Sequence, residues 1–202
     1  ALFFLLRPSV PSGYTVFVSS FAMFASGRAF EQIRNAAAHP NLNVKVCASH
    51  AGITVGEDGA THQCLEDLAL MRSIPGMTVM NPSDAVEAAA ALKYAIETDG
   101  PFYIRFGRFA MPVIHDSATY TFKPGEGETL VEGDDVTVIT TGMMYKPVLE
   151  ASYVLKALHN ISVRVINMPT VKPLDRDIIR KAARETGAIV VAEEHNIIGG
   201  LG

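Results

Sequence analysis

Short apolar runs rich in β-branched residues alternate along the chain with stretches of helical period. Tyr14–Ser20 predicts a buried strand. Phe21–Ala38 carries Phe and Ala at helical spacing, with Gln32, Arg34 and Asn35 on another face, and predicts a helix. Val44–Ala48 predicts the next strand, and His50–Thr61 a glycine-punctuated loop. His62–Ile74 reads as a helix with Leu65, Leu68, Leu70 and Met71 broadly on one side. Met77–Met80 is a short strand leading to Asn81-Pro82. Ser83 is a suitable N-cap, with Asp84 in the first turn of an Ala-rich helix running to about Glu97. Asp99-Gly100-Pro101 ends that helix, and Phe102–Phe106 predicts another strand.

From His115 to Asp135 the chain turns polar and turn-rich, which places a linker over 118–135 between units 1–117 and 136–202. The second unit predicts strand Val136–Thr141, a helix near Lys146–Leu158, strand Val163–Asn167, a helix near Asp175–Glu185 and strand Ala188–Glu193. Strands separated by helix-length segments imply right-handed crossovers. The expected fold class is therefore α/β, two parallel-sheet units in series. Gly199-Gly200-Leu201-Gly202 stands where another helix would begin, so both ends are expected to be truncated.

Composition narrows the partners. A net charge of −4, with Lys and Arg scattered, gives no basic patch for nucleic acid. Ala1–Leu6 is apolar but far short of the ~20 residues that span a bilayer, and it lacks the features of a secretory signal. The edge of a larger fold explains it better. Cys47 and Cys64 form no metal-spaced motif and read as small buried hydrophobes in a reducing compartment, the cytoplasm.

The chemistry concentrates in Ser49-His50-Ala51-Gly52-Ile53-Thr54-Val55-Gly56-Glu57-Asp58-Gly59-Ala60-Thr61-His62-Gln63. It follows a predicted parallel strand, where open α/β sheets bind ligands. Its imidazoles and carboxylates suit acid–base work or hydrogen bonds to hydroxyls. From the residues alone, three readings stay open: metal ligation by His50, Asp58 and His62, a solvated structural loop, or a polar ligand site. The spacing matches none of the short zinc signatures.

Gly52 through Gln63 resembles the G-x-x-V-G-E-D-G-x-T-H-Q signature of transketolases. The resemblance extends to Phe17–Phe24 with Gly27–Arg34, to Leu65-Glu66-Asp67 through Arg72-Ser73-Ile74-Pro75, to Asn81–Asp84 and to Ala192–Asn196, covering Ser12 to Gly202. It implies a pyrimidine-binding domain followed by a transketolase C-terminal domain. The activity implied is transfer of two-carbon ketol units between sugar phosphates, as in the pentose phosphate pathway, through thiamine diphosphate and Mg²⁺. By the same resemblance Phe21 stacks on the cofactor's aminopyrimidine and Phe24 completes an aromatic pocket. His50 and His62 assist proton movement, Asp58 binds a substrate hydroxyl, and Arg108 binds the sugar phosphate, with Arg105 the weaker candidate. No metal ligand is expected in this chain. His195 is assigned to packing or the interface, and His39, His115 and His159 to the surface.

The family's activating glutamate, in a G-x-x-E-[QH] motif upstream of the Phe21 strand, has no counterpart here, nor does its G-D-G…N metal motif. The chain is thus expected to be inactive alone. It would be a fragment or part of a split enzyme's second chain, completed by a diphosphate-binding domain or subunit in a homo- or hetero-oligomer. Two alternatives are a 1-deoxyxylulose-5-phosphate synthase-like enzyme, which shares D-G-x-T-H-Q, and a non-catalytic partner subunit. The Thr61-His62-Gln63 context argues against a 2-oxo acid dehydrogenase β subunit, and the terminal glycines are a weak dinucleotide signal.

Overall fold

The computed structural model describes residues 13–202; Ala1–Leu6, read above as the edge of a larger fold, lies outside the described residues. Strands β1 (Val16–Phe21), β2 (Val44–Ser49), β3 (Thr78–Met80) and β4 (Phe102–Arg105) are followed by β5 (Glu128–Val131), β6 (Val136–Thr140), β7 (Val163–Asn167), β8 (Thr170–Lys172) and β9 (Ile189–Ala192). The main helices are α1 (Asp67–Ser73), α2 (Ala85–Glu97), α3 (Tyr145–His159) and α4 (Arg176–Glu185). One sheet has the order β1-β2-β4-β3-β8 and the other β5-β7-β6-β9.

Two α/β units are present, but each sheet is mixed. β1, β2, β4 and β3 are parallel, and β8 adds antiparallel to β3. In the second sheet β6 is parallel to β7 and β9, and β5 runs antiparallel to β7. β5 falls inside the segment read as linker, and β8 carries a strand of the second unit into the first sheet. An apolar cluster runs from Val18, Val46 and Leu68 through Tyr103 to Ile139, Ile166 and Met168, so the two units share core.

Three local readings are corrected by packing. The helix expected over Phe21–Ala38 is wound as two π-type turns, Met23–Arg28 and Ile33–Ala38, around a short α turn at Phe30–Gln32. Ser26 Oγ donates to Ala22 O at 2.7 Å and Ala29 N reaches back to Phe24 O, so carbonyls here are shared outside the α pattern. The helix expected from His62 begins only at Asp67, because Cys64 is held in a bridge to Gly52. The cap of α2 is Asp84, whose Oδ1 accepts from Glu87 N at 2.8 Å; Ser83 donates its hydroxyl to Glu87 Oε2 instead.

His115, expected at the surface, is 7% exposed. Its Nδ1 lies 2.9 Å from Asp84 Oδ2 and its Nε2 2.9 Å from Glu128 Oε2. It therefore clasps the start of α2 to β5 of the second sheet. Asn167 of β7 and Tyr120 both donate to Glu87 beside it. Burial alone would push the imidazole down, but the bond to Glu128 and the charges of Glu87 and Asp84 prevail and raise its pKa to about 9.

A folded-state pKa above the ordinary 6.5 means this stabilisation is complete below about pH 6.5 and is lost as pH rises through 9. We expect wild type to lose about 2–3 kcal/mol more than His115→Gln between pH 6.5 and pH 10. Lys45 is pushed down to about 8 by burial and acts in the opposite sense over this range, so the difference between the two unfolding curves is the quantity to measure. Parallel curves for the two proteins would exclude the clasp.

Candidate active site

β1 and β2 are paired in register so that Phe21 lies beside Ser49 at their C-terminal ends. The next residue, His50, has φ +59, a left-handed conformation that a non-glycine residue adopts at a cost of ~1–3 kcal/mol. That turn lays its imidazole on Phe21, with ring centroids 4.0 Å apart and planes 18° apart. Phe24 stands 6.2 Å from Phe21 with its ring within 8° of parallel. His62 arrives from the far end of the loop, its ring edge-on to Phe24 at 5.1 Å and to Phe21 at 5.8 Å. Four residues spread over 42 positions of sequence thus form one aromatic and imidazole cluster at the mouth of the parallel strands.

The loop between the histidines is fastened at several points. Gly52 and Cys64 exchange backbone hydrogen bonds at 2.9 and 3.2 Å and close its base. Gln63 Nε2 donates to Ile53 O at 3.0 Å. Arg108 Nη1 donates to Val55 O and lies against Gly56, whose φ of +79 strains any residue but glycine. Thr54 N donates to Glu194 Oε1 at 3.2 Å. Asp58 closes a short 3₁₀ turn, Gly56–Asp58, with its side chain exposed.

His50, His62, Phe21 and Phe24 are therefore brought together, while Arg108 anchors the loop from below and Asp58 faces solvent on its outer turn. Arg105 is elsewhere: 4% exposed, it donates Nε to Asp67 Oδ2 at 2.8 Å and Nη2 to Glu194 O at 2.8 Å. Tyr103 Oη donates to the same Asp67 oxygen at 2.8 Å. His195 packs, with Nε2 accepting from Ala69 N at 3.3 Å and Nδ1 donating to Asn196 O at 2.8 Å. Glu194 and Asp67 escaped the sequence reading as site-supporting groups. The Ala192–Asn196 run was a visible signal, but its target in the loop was not.

Cys64 is buried and Cys47 half-buried, and burial pushes both thiols up. Among the described residues, no group of three or more His, Cys, Asp or Glu is placed to hold a metal ion. No helix among them is long and apolar enough to cross a membrane. The partly exposed Phe21 and Phe24 rings are near-parallel and give the site an aromatic lining, which fits a planar heteroaromatic ring.

The chain is similar to known proteins in both of its units. The family described as transketolase, pyrimidine binding domain, matches residues 10–113, and transketolase, C-terminal domain, matches 125–202. A protein of Methanocaldococcus jannaschii described as a transketolase C-terminal section is 47% identical over 95% of this chain and 60% of its own length. An apulose-4-phosphate transketolase subunit of Phocaeicola vulgatus is 38% identical over 95% of this chain and 61% of its own. The chain thus spans about three fifths of the length of these relatives. A solved structure described as a split gene transketolase, inactive β4 tetramer, superposes with a TM-score of 0.90 at 46% identity, covering 100% of this chain and 66% of that one. With both units matched in order, the chain belongs to the transketolase family.

Proposed function

We propose that this chain supplies the pyrimidine-side wall of a thiamine-diphosphate site that transfers two-carbon ketol units between ketose and aldose phosphates. The observation that carries the reading is the cluster of His50, Phe21, Phe24 and His62, with His50 held in a left-handed turn at the strand mouth. When bound, thiamine diphosphate supplies the carbon nucleophile and the electron sink for breaking the ketose carbon–carbon bond. The Phe21–Phe24 pair would seat its aminopyrimidine. His50 and His62 would hydrogen-bond the sugar oxygens and accept the hydroxyl proton released as that bond breaks.

Asp58 would hydrogen-bond a substrate hydroxyl. Arg108, with one nitrogen on Val55 O, would turn the rest of its guanidinium to the sugar phosphate. The activating glutamate and the Mg²⁺–diphosphate groups would come from another domain or subunit in the oligomer, working in the cytoplasm. The division into 1–117, 118–135 and 136–202 belongs to this proposal. So does inactivity of the chain alone, for which a subunit-type relative and a split-gene neighbour give precedent.

The test is to mix the chain with a transketolase diphosphate-domain chain, thiamine diphosphate and Mg²⁺, and to follow transfer from xylulose 5-phosphate to ribose 5-phosphate. We expect activity in the mixture and none from either chain alone. Turnover of pyruvate in place of the ketose donor would favour the 1-deoxyxylulose-5-phosphate synthase-like alternative. A mixed complex that forms but transfers nothing would favour a non-catalytic partner.

A further inference from the structure

We propose that Glu194, just beyond β9 in the second unit, is a positioning residue that holds the His50–Gln63 loop in its working shape. The residue is 7% exposed, and its Oε1 accepts the Thr54 amide from a loop 140 residues earlier in the chain. Thr54 sits where the loop backbone leaves its bridge and turns, so its N–H has no strand partner and needs an acceptor. The carboxylate also packs closely on the loop backbone. Gly52 has φ +88, and a β-carbon there would stand 2.7 Å from the Glu194 carboxylate carbon.

Glu194 is fixed in turn from behind. Its own carbonyl accepts Arg105 Nη2 at 2.8 Å, and Arg105 is locked on Asp67 at the start of α1. Two residues on, Asn196 donates both N and Nδ2 to Leu65 O, at 3.0 and 2.9 Å. The Glu194–Asn196 segment therefore grips the loop on both sides of the Gly52–Cys64 bridge, at Thr54 and at Leu65.

This makes the second unit a brace for the site and not only an appended domain. Its consequence for catalysis rests on the ketol-transfer reading, because this loop carries His50, Asp58 and His62; its consequence for loop order does not. Hydrogen exchange on the full chain separates the two. In Glu194→Ala the Thr54 amide should exchange at least about 10-fold faster, the loss of one hydrogen bond, while β2 and β4 amides stay unchanged. Glu194→Gln keeps an acceptor oxygen at the same reach and should restore slow exchange. Glu194→Asp keeps the charge but withdraws it by one methylene and should behave like Ala, which preserves the test if the Ala variant does not fold.

Unchanged Thr54 exchange in both the Ala and Asp variants would overturn the proposal, as would failure of Gln to restore it. In the reconstituted complex, Glu194→Ala should raise KM for the ketose phosphate by about 10-fold with kcat within a few-fold, and Gln should reverse the rise. A loosened loop with KM unmoved would overturn the catalytic half. A wild-type complex without any transfer would sink the ketol-transfer reading, and the exchange data would still decide the role of Glu194.

Discussion

Arg105→Ala should unfold with about 3–5 kcal/mol less stability than wild type, among the largest losses a single surface-distant substitution can cause here. Asp67 is fully buried, and its Oδ2 takes both Arg105 Nε and Tyr103 Oη at 2.8 Å. Its Oδ1 is already without a partner among the described residues. Removing the guanidinium leaves an uncompensated carboxylate in a core formed by Leu68, Met71 and Tyr103. Burial alone would ease the proton off Arg105, but the charge of Asp67 and the bond to it prevail and hold it on more firmly. Burial, then Asp67, pushes the Tyr103 hydroxyl well above its ordinary value, so it stays a donor at any working pH.

The same physics makes the loss partly reversible by a second substitution. A buried ion pair often does no better than apolar side chains of similar volume, because desolvation of both ions offsets their attraction. Arg105→Met with Asp67→Leu should therefore recover part of the stability that Arg105→Met loses alone, the buried Tyr103 hydroxyl being left without its acceptor. Urea unfolding of the single and double variants measures it. If the double variant is no more stable than Arg105→Met, the pair is not the source of the loss. Since Arg105 also holds Glu194, both variants should loosen the His50–Gln63 loop even where global stability returns.

How far all this was legible in the sequence depended on how local its cause is. β2, β6 and β7 were readable because apolar and β-branched residues dominate them. The site loop was readable because its glycines and titratable groups are contiguous and because the Gly52–Gln63 signature is long. β5, Glu-Thr-Leu-Val, and β8, flanked by Pro169 and Pro173, are short and carry little apolar signal; pairing with β7 and β3 makes them strands. His115 looked like a turn residue, since Asp84 and Glu128 reach it from 31 residues before and 13 after. In the sequence Arg108 reads as the phosphate-binding arginine and Arg105, three residues earlier, as the weaker candidate for the same role. Only the fold shows one turned inward to Asp67 and the other outward beneath Val55.

His50→Asn is expected to lower kcat for ketol transfer in the reconstituted complex by about 10²–10³-fold while changing stability by no more than ~1 kcal/mol. The choice of asparagine follows from φ +59 at this position. Asparagine tolerates the left-handed region well, so the turn after β2 survives and only the imidazole is lost. Valine at the same site would add backbone strain of ~1–2 kcal/mol and confuse folding with catalysis. Breaking the ketose carbon–carbon bond requires the neighbouring hydroxyl to lose its proton, and the imidazoles of His50 and His62 stand together against Phe21. Amide nitrogen can donate a hydrogen bond there but cannot carry the proton away. The deficit should therefore fall on kcat and leave KM within a few-fold, opposite to the pattern expected for Glu194. An asparagine variant retaining more than about a third of wild-type turnover would remove His50 from the proton path and leave it as a packing partner of Phe21.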